Sequence, residues 1–313
     1  MDKDTVCTGL DRAAQPCRLV ILYVWQPLPL RECQLDEWWS FVHTQDEHLA
    51  WAKTYPDPYG EAWVGVAFAP AWRLVVAVVV GKRTPAEAHV LLERVAQVTT
   101  DLIPCFTSDQ RPEYRTALLH VYGEWYQPPR RGPRGPHPHP RRVPPQERCD
   151  APVVKTRERG RVVAVDHHVV FGDAQGIAAL LAALPTSATS HTSVVERENL
   201  ALRQHHRRLT RKTNAFSKEL PWLEKQLWLS LAYTHLGLPH DSLRQELPMV
   251  EPPGGGGSPR RWQPRKPAMA AGVTDQVWTT DELLSYRVPA TFVDHLDQLE
   301  HLFPQPEPIY QGN

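Results

Sequence analysis

The sequence predicts an α/β protein in which helices flank a mixed β-sheet. Three segments have the alternation or the β-branched composition that is typical of strands: residues 33–42, 62–69 and 73–80. A helix follows Thr84, a favourable N-cap, with Pro85 at its first position. A short apolar strand at 102–106 and a helix at 112–122 come next. The order β-β-β-α-β-α predicts three antiparallel strands and a fourth strand parallel to the first.

The second half of the chain is less regular, and one segment is dominated by proline and arginine. Residues 124–150 contain the run PPRRGPRGPHPHPRRVPP. Because proline lacks a backbone donor and restricts the residue before it, this segment predicts an exposed, extended basic loop instead of helix or sheet. The later patterns predict a strand with a hairpin, two helices and a Gly/Pro linker, at residues 153–171, 174–184, 222–236 and 251–266.

These patterns divide the chain into three parts. Residues 1–32 show no clear periodicity and are expected to be a poorly defined N-terminal segment. Residues 33–246 form the α/β domain, into which the basic loop is inserted. Residues 247–313 are expected to be a linker and a loosely ordered C-terminal tail.

Composition excludes several classes of function. The 313 residues carry 35 basic and 35 acidic side chains, so bulk charge does not predict nucleic-acid binding, although residues 130–142 and 197–212 are basic blocks. The apolar runs are shorter than the roughly 20 residues that cross a bilayer, and we expect a cytoplasmic protein without membrane contact. The absence of a C-x-x-C pair argues against a zinc ribbon. No glycine-rich phosphate loop is present, which argues against a nucleotide-driven enzyme.

A basic segment, Ser193 to Lys218, carries one carboxylate near its start. At helical spacing Glu196 shares a face with arginines, and an apolar stripe recurs every seven residues on another face: Val195, Leu202, Leu209 and Phe216. Two interpretations stay open at this point. Ser193 and Glu196 match a capping box, in which the carboxylate accepts the N-cap backbone N–H. Alternatively, Glu196 holds a metal ion beside a phosphate backbone that the arginines bind.

Two aspartates are possible partners of Glu196. Asp36 lies on the first strand and Asp109 at the end of the fourth, so parallel pairing of these strands would bring them side by side. Taken singly, Asp36 is more typical of a solvent-facing strand position and Asp109 of a turn. Glu37 points to the opposite face of its strand and is the weaker candidate. Three carboxylates can hold two Mg²⁺ ions for an in-line phosphoryl displacement.

Four motifs carry a resemblance to a known family: QLDEWWSFV, IPCFTSDQRPEYRTALLHVYG, VVKTRERGRVV and TSVVERENLALRQHHRRLTRKTNAFSK. In this order, from Gln34 to Leu243, the chain resembles a DDE transposase of the insertion-sequence-one family. The resemblance implies a ribonuclease-H-like fold, with a mixed five-stranded sheet flanked by helices. It also matches Asp36, Asp109 and Glu196 to the catalytic, metal-binding triad of that family. The implied activity is metal-dependent DNA cleavage and strand transfer with two Mg²⁺ ions, which Mn²⁺ could replace.

The implied partners are double-stranded DNA, as element ends and target, and further copies of the chain. We expect polar residues of the basic segment and the basic loop to bind DNA: Arg197, Asn199, Arg203, Arg207, Arg208, Arg211, Lys212, Arg130, Arg131 and Arg134. Relatives usually carry an N-terminal zinc and helix-turn-helix region that is not recognisable here. We therefore expect either a separately encoded recognition module or a truncated copy. The expected location is the prokaryotic cytoplasm, in association with the nucleoid.

Two other functions remain open at the level of sequence. A decayed copy would be an inactive remnant that only binds DNA. A structure-selective nuclease on the same fold would cleave branched DNA without joining the products. Strand transfer in the presence of Mg²⁺ distinguishes both from an active transposase.

Overall fold

The computed structural model describes residues 2–49, 59–100, 103–109, 111–130, 132, 137–145, 153–158, 161–167, 192–210, 213–251 and 259–304. The strands of this part are β1 Glu32–Val42, β2 Gly60–Ala69, β3 Leu74–Gly81, β4 Cys105–Ser108, β5 Glu124–Tyr126, β6 Arg141–Val143, β7 Val153–Glu158, β8 Arg161–His167, β9 Gln245–Glu251 and β10 Arg260–Gln263. The helices are α1 Lys3–Val24, α2 Asp46–Leu49, α3 Pro85–Val98, α4 Pro112–Tyr122, α5 Ser193–His205, α6 Leu220–Ala232, α7 Pro267–Ala270, α8 Thr280–Ser285 and α9 Ala290–Gln298.

A four-stranded mixed sheet forms the centre of the described structure. Its strand order is β3-β2-β1-β4, with β1 antiparallel to β2, β2 antiparallel to β3, and β1 parallel to β4. This confirms the α/β class and the predicted orientation of the first four strands. The expected fifth strand does not occur in this sheet within the described residues, because β7 and β8 pair only with each other in a separate hairpin.

Helix α3 covers one face of the sheet and begins as the sequence predicts. The backbone N–H of Thr84 donates to Glu87 Oε2 over 2.9 Å, which closes a capping box, and Pro85 occupies the first turn. The apolar side chains of the helix, among them Leu91, Leu92 and Val95, are buried against the sheet. Their burial is the main stabilising contribution of this layer.

The N-terminal segment is ordered, which corrects the prediction for residues 1–32. Most of it is α1, a 22-residue helix with Pro16 in its interior, and α1 packs against α6. Arg18 is 2 % exposed and donates through Nη2 to the carbonyl oxygen of Phe303 over 2.7 Å. Long-range contacts therefore hold this helix, and its own sequence gives a weak signal because proline disfavours a helix interior.

The described C-terminal residues are also packed, contrary to the expected loose tail. Leu296, Leu302 and Phe303 are buried in the core. Arg94 of α3 donates through Nε to the carbonyl oxygen of Leu302 over 2.6 Å. Buried apolar side chains and a buried arginine thus fix the end of the described chain against α1 and α3.

Two further predictions need correction. Part of the basic loop at 124–150 forms regular structure, because β5 pairs antiparallel with β6, which lies near the end of the proline-rich run. The basic helix predicted to reach Lys218 ends at His205, and a 3-10 turn follows at Arg207–Leu209. This turn keeps Leu209 on the core side, so three residues of the predicted stripe are buried although the helix stops: Val195, Leu202 and Leu209.

The helix predicted at 174–184 lies outside the described residues. Within the described part of the chain, no helix is both long enough and apolar enough to cross a membrane.

Candidate active site

The parallel pairing of β1 and β4 brings the two candidate aspartates to corresponding positions. Gln34 pairs with Thr107, and Leu35 pairs with Ser108. Asp36 and Asp109 are the next residues of the two chains. Because parallel strands advance in step, their Cα atoms are neighbours where β4 ends. The geometry agrees with the side-by-side arrangement that strand order predicts.

Gln34 fixes the first turn of α5 above β1. Its side chain is fully buried; Oε1 accepts the backbone N–H of Val195 over 3.1 Å, while Nε2 donates to Glu32 Oε1 over 3.1 Å. The N–H of Val195 belongs to the first helical turn, whose donors have no partner within the helix. Gln34 thereby sets the position of Glu196, the next residue of α5. The sequence signal for this role is weak: Gln34 precedes Asp36 by two residues and so shares its strand face.

A threonine hydroxyl joins Glu196 to Asp109. Thr192 Oγ1 lies 3.0 Å from Glu196 Oε1 and 3.3 Å from Asp109 Oδ1. A hydroxyl has one proton to donate, so it serves one ionised carboxylate at a time. Thr192 is the N-cap of α5 and Ser193 is its first helical residue, so the capping box with Ser193 as N-cap does not form. The metal-binding interpretation of Glu196 stays a prediction.

Asp36 is partly buried, and its surroundings oppose its negative charge. Asn199 donates through Nδ2 to Asp36 Oδ2 over 2.7 Å. Burial raises the pKa of Asp36 to about 7; Asp109 and Glu196 add to this effect, whereas hydrogen bonds from the Glu37 backbone and from Asn199 oppose it. Among the described residues Asp36 has no salt bridge. The three acidic residues therefore interact electrostatically, and this interaction disfavours the charged form of Asp36.

The donor set suits Mg²⁺ better than a softer metal, because it consists of carboxylate oxygens. One further oxygen is available: Asn199 Oδ1 is buried and has no hydrogen-bond partner among the described residues. The three carboxylates do not all lie within 4.8 Å of one another, since the described residues contain a single cluster of that size, elsewhere. Two ions about 4 Å apart would span a wider set of ligands than one ion. The donor chemistry suits Mg²⁺, but the separation of the carboxylates does not itself form a metal cluster, so the two-ion site stays a prediction.

An open groove beside Asp36 exposes some of the predicted DNA-binding residues. It is lined by polar and basic side chains of β1 and α5, including Asp36, Glu196, Arg197, Asn199 and Arg203. Arg197 is exposed, and Arg203 donates through Nε to the carbonyl oxygen of Asn199 over 3.0 Å. Leu200, between them in sequence, is 47 % exposed. Arg197 and Arg203 thus form a basic rim of the groove, and Asp36 and Glu196 form its acidic floor.

Other predicted DNA contacts fall elsewhere. Asn199 is 1 % exposed and holds Asp36, so its assignment to DNA backbone is corrected. Arg208 is partly buried; burial lowers its pKa, and it lies within electrostatic reach of Cys7 in α1. Arg207 is exposed on the 3-10 turn, and Arg130 is exposed next to the β5–β6 hairpin. The remaining four lie outside the described residues: Arg131, Arg134, Arg211 and Lys212.

Glu37 points to the opposite face of β1, as strand alternation predicts. Its carboxylate accepts from Arg111 Nη1 over 2.9 Å and from Arg83 Nη2 over 3.2 Å. The side chains of Glu37 and Arg111 are each 8 % exposed. Glu37 thus borders the groove, but its carboxylate is neutralised by two arginines on the opposite face of β1.

Comparisons with known proteins add little to this geometry. No protein-family model matches the chain, and no curated protein matches it. A solved structure of the Mos1 transposase, in a paired-end complex with the left transposon end, is similar to 39 % of this chain at 14 % identity, with a TM-score of 0.20. The chain covers 41 % of that protein. At this level of similarity, functional conclusions depend on the residues of the groove.

Proposed function

We propose that this protein is a metal-dependent DNA transposase that cleaves phosphodiester bonds and joins the resulting 3′ ends to target DNA. The observation that carries the proposal is the assembly of three acidic residues from three separate parts of the chain. Asp36 and Asp109 occupy adjacent parallel strands, and Thr192 links Asp109 to Glu196. The motifs that resemble the insertion-sequence-one family fall on the same residues, with Mg²⁺ as the expected metal and Mn²⁺ as a substitute.

In this proposal Asp36, Asp109 and Glu196 hold two ions. When bound, the ions would activate an attacking oxygen and stabilise the leaving oxygen of the phosphodiester. Asn199 orients Asp36 through its amide N–H, and Gln34 keeps the first turn of α5 against β1. The side-chain amides of Asn199 and Gln34 therefore position the acidic floor through hydrogen bonds and add no charge to it.

The basic rim of the groove is proposed to bind the DNA backbone. Arg197 and Arg203 line the groove together with Asp36 and Glu196, and Arg207 is exposed one turn further on. A phosphate bound there would lie beside the acidic floor, which accepts DNA only once cations neutralise it. DNA affinity should fall steeply with salt because each neutralised phosphate releases counterions. Joining two element ends further implies an assembly of several copies.

The direct test is strand transfer by the purified full chain on a supercoiled plasmid that carries the ends of its own element. We expect nicked and joined products with Mg²⁺ or Mn²⁺ and none with EDTA. Asp109→Ala should abolish both products, whereas Asp275→Ala, which changes an exposed aspartate in the C-terminal segment, should leave them unchanged. Product formation that survives Asp109→Ala would overturn the assignment of the site.

The same assay separates the two alternative functions. The first alternative, an inactive DNA-binding remnant, is favoured by the separation of the three carboxylates, which do not all lie within 4.8 Å of one another. A remnant would bind DNA yet produce neither nicks nor joints, even with a recognition module supplied in trans. A structure-selective nuclease would cut branched DNA in the presence of Mg²⁺ and leave no joined product.

A further inference from the structure

A second group of side chains that can bind a metal lies between helices α3 and α4. It consists of His89 and Glu93 on α3 and His120 on α4. One ligand atom from each of the three lies within 4.8 Å of the other two. The function proposed above uses none of these residues. The cluster is therefore independent of the carboxylate groove.

The spacing on α3 presents two of the ligands side by side. Residues four apart share a helix face, and His89 Nε2 lies 3.1 Å from Glu93 Oε1. Both side chains are about 30 % exposed, at 29 % and 30 %. An ordinary surface ion pair between positions i and i+4 would explain this contact, but it does not call for a third ligand.

The third ligand comes from the neighbouring helix. The rings of His89 and His120 approach edge to face, with their centroids 4.3 Å apart. Ligand atoms in a tetrahedral Zn²⁺ site, each about 2.1 Å from the metal, are about 3.4 Å from one another. The 3.1 Å between His89 Nε2 and Glu93 Oε1 is close to that value. The ligand atom of His120 lies no more than 4.8 Å from each of the other two ligand atoms, so a small shift of its side chain would bring it to a tetrahedral spacing.

We propose that His89, Glu93 and His120 bind a divalent transition-metal ion of the Zn²⁺ class and so join α3 to α4. Two imidazoles and one carboxylate are ligands that Zn²⁺ prefers, whereas Mg²⁺ takes oxygen ligands. Three protein ligands leave a fourth position for water. The site thus differs in its metal from the carboxylate groove on the opposite side of the sheet.

The position of α4 gives this metal a structural consequence. Helix α4 begins at Pro112, three residues after Asp109, and packs against α3. A metal bridge at His120 would fix the last turn of α4 against α3. The bridge would therefore stabilise the packing of the helix that follows Asp109 in the chain.

Metal binding by the full chain, without DNA, tests the proposal. We expect EDTA-stripped protein to bind one equivalent of Zn²⁺ by titration calorimetry, and His120→Ala to weaken that binding at least about 100-fold. His301→Ala, an exposed histidine near the C-terminus, and Asp36→Asn in the groove should leave the affinity unchanged. The Asp36→Asn result also separates this proposal from the proposed function, because strand transfer can fail while Zn²⁺ binding persists.

A second measurement covers the case in which His120→Ala fails to fold. X-ray absorption of the Zn²⁺-loaded wild-type chain should show nitrogen and oxygen donors with two imidazoles and no sulfur. Glu93→Gln should lower the Zn²⁺ affinity while its circular dichroism stays that of wild type. Sulfur ligation, or weak binding that is equal in wild type, His120→Ala and Glu93→Gln, would overturn the site.

Discussion

Asp36 and Glu37 are neighbours on β1, yet they meet opposite surroundings. Glu37 faces α3 and α4, where Arg111 and Arg83 donate to its carboxylate. Asp36 faces α5, where Asn199 is its hydrogen-bonding side chain and the neighbouring charges are negative. Strand alternation alone separates the two residues.

This difference separates a carboxylate that the fold itself neutralises from one that the proposed function assigns to metal binding. A buried carboxylate that is paired with arginine is neutralised by the protein and has no need of a metal. A partly buried carboxylate beside other carboxylates is costly until a cation arrives. The sequence places both types side by side, so each serves as the internal control of the other.

The largest expected effect comes from removing the charge of Asp36. Asp36→Asn should lower Mg²⁺-dependent strand transfer at least about 1,000-fold, equivalent to about 4 kcal/mol of transition-state stabilisation, because it deletes one of three metal-binding carboxylates. The measurement is single-turnover product formation in excess enzyme.

The control for this variant is its stability. Asp36→Asn removes like-charge repulsion, so at neutral pH its resistance to urea should equal or exceed that of wild type. A variant that loses strand transfer and also unfolds would not support a role in metal binding. Undiminished strand transfer in a folded Asp36→Asn protein contradicts the proposed site.

The next largest effect concerns the other side of β1. Glu37→Gln leaves Arg111 with less compensation in a site where both side chains are 8 % exposed. We expect the free energy of unfolding to fall by about 3 kcal/mol, because breaking a buried ion pair leaves an uncompensated charge. Urea denaturation measures this loss.

Glu113 supplies a matched control for Glu37. It also accepts from Arg111, over 3.2 Å, but its side chain is 32 % exposed. Glu113→Gln should cost less than about 1 kcal/mol, because exposed ion pairs contribute little. Equal losses for the two variants would show that burial does not distinguish these carboxylates.

The sequence predicted the parts of the fold that depend on local patterns. Strands β1 to β3 follow from alternation and β-branched residues, and Thr84 with Pro85 marks the start of α3. The neighbouring positions of Asp36 and Asp109 follow from strand order, since parallel strands advance in step. Local information is sufficient in these cases because each pattern specifies its own element.

The sequence could not predict features that depend on distant partners. Helix α1 contains Pro16 and is held by α6 and by the C-terminal carbonyl that Arg18 contacts. Helical projection places Asn199 with arginines and so predicts a DNA contact, but the projection contains no information about Asp36. Gln34 acts on an N–H that is 161 residues away in sequence. Such contacts emerge only when the elements pack.

The pH dependence of stability sharpens the comparison further. Burial, with Asp109 and Glu196, raises the pKa of Asp36 from 3.8 to about 7. Between these values the folded protein holds a proton that the unfolded chain has released, so the free energy of unfolding should fall as pH rises through the window. The pKa shift limits this fall in the free energy of unfolding to about 4 kcal/mol, and we expect a fall of about 2 kcal/mol because Asp36 is partly exposed.

Urea denaturation in EDTA at about pH 4, 5.5 and 7.5 measures this dependence against Asp36→Asn. The variant should become more stable relative to wild type as pH increases. Adding Mg²⁺ at the highest pH should recover much of the wild-type loss, because a ligand of the folded state stabilises it. A difference between the two proteins that stays constant with pH contradicts the raised pKa.

The smallest expected effect tests how the acidic floor is held in position. Gln34→Met keeps the volume of the buried side chain but removes the acceptor of the Val195 N–H and the donor to Glu32. The loss should be about 1.5 kcal/mol, the cost of leaving buried polar groups unsatisfied. Peptides that span the first turn of α5 should exchange amide hydrogens faster, and Mg²⁺ affinity should fall by less than about tenfold, since the three carboxylates remain.

Gln97→Met, at an exposed position of α3, should change neither amide exchange at α5 nor Mg²⁺ affinity. If amide exchange at α5 is the same in Gln34→Met and wild type, Gln34 does not hold the helix that carries Glu196. The position of α5 then depends on the buried stripe of Val195, Leu202 and Leu209.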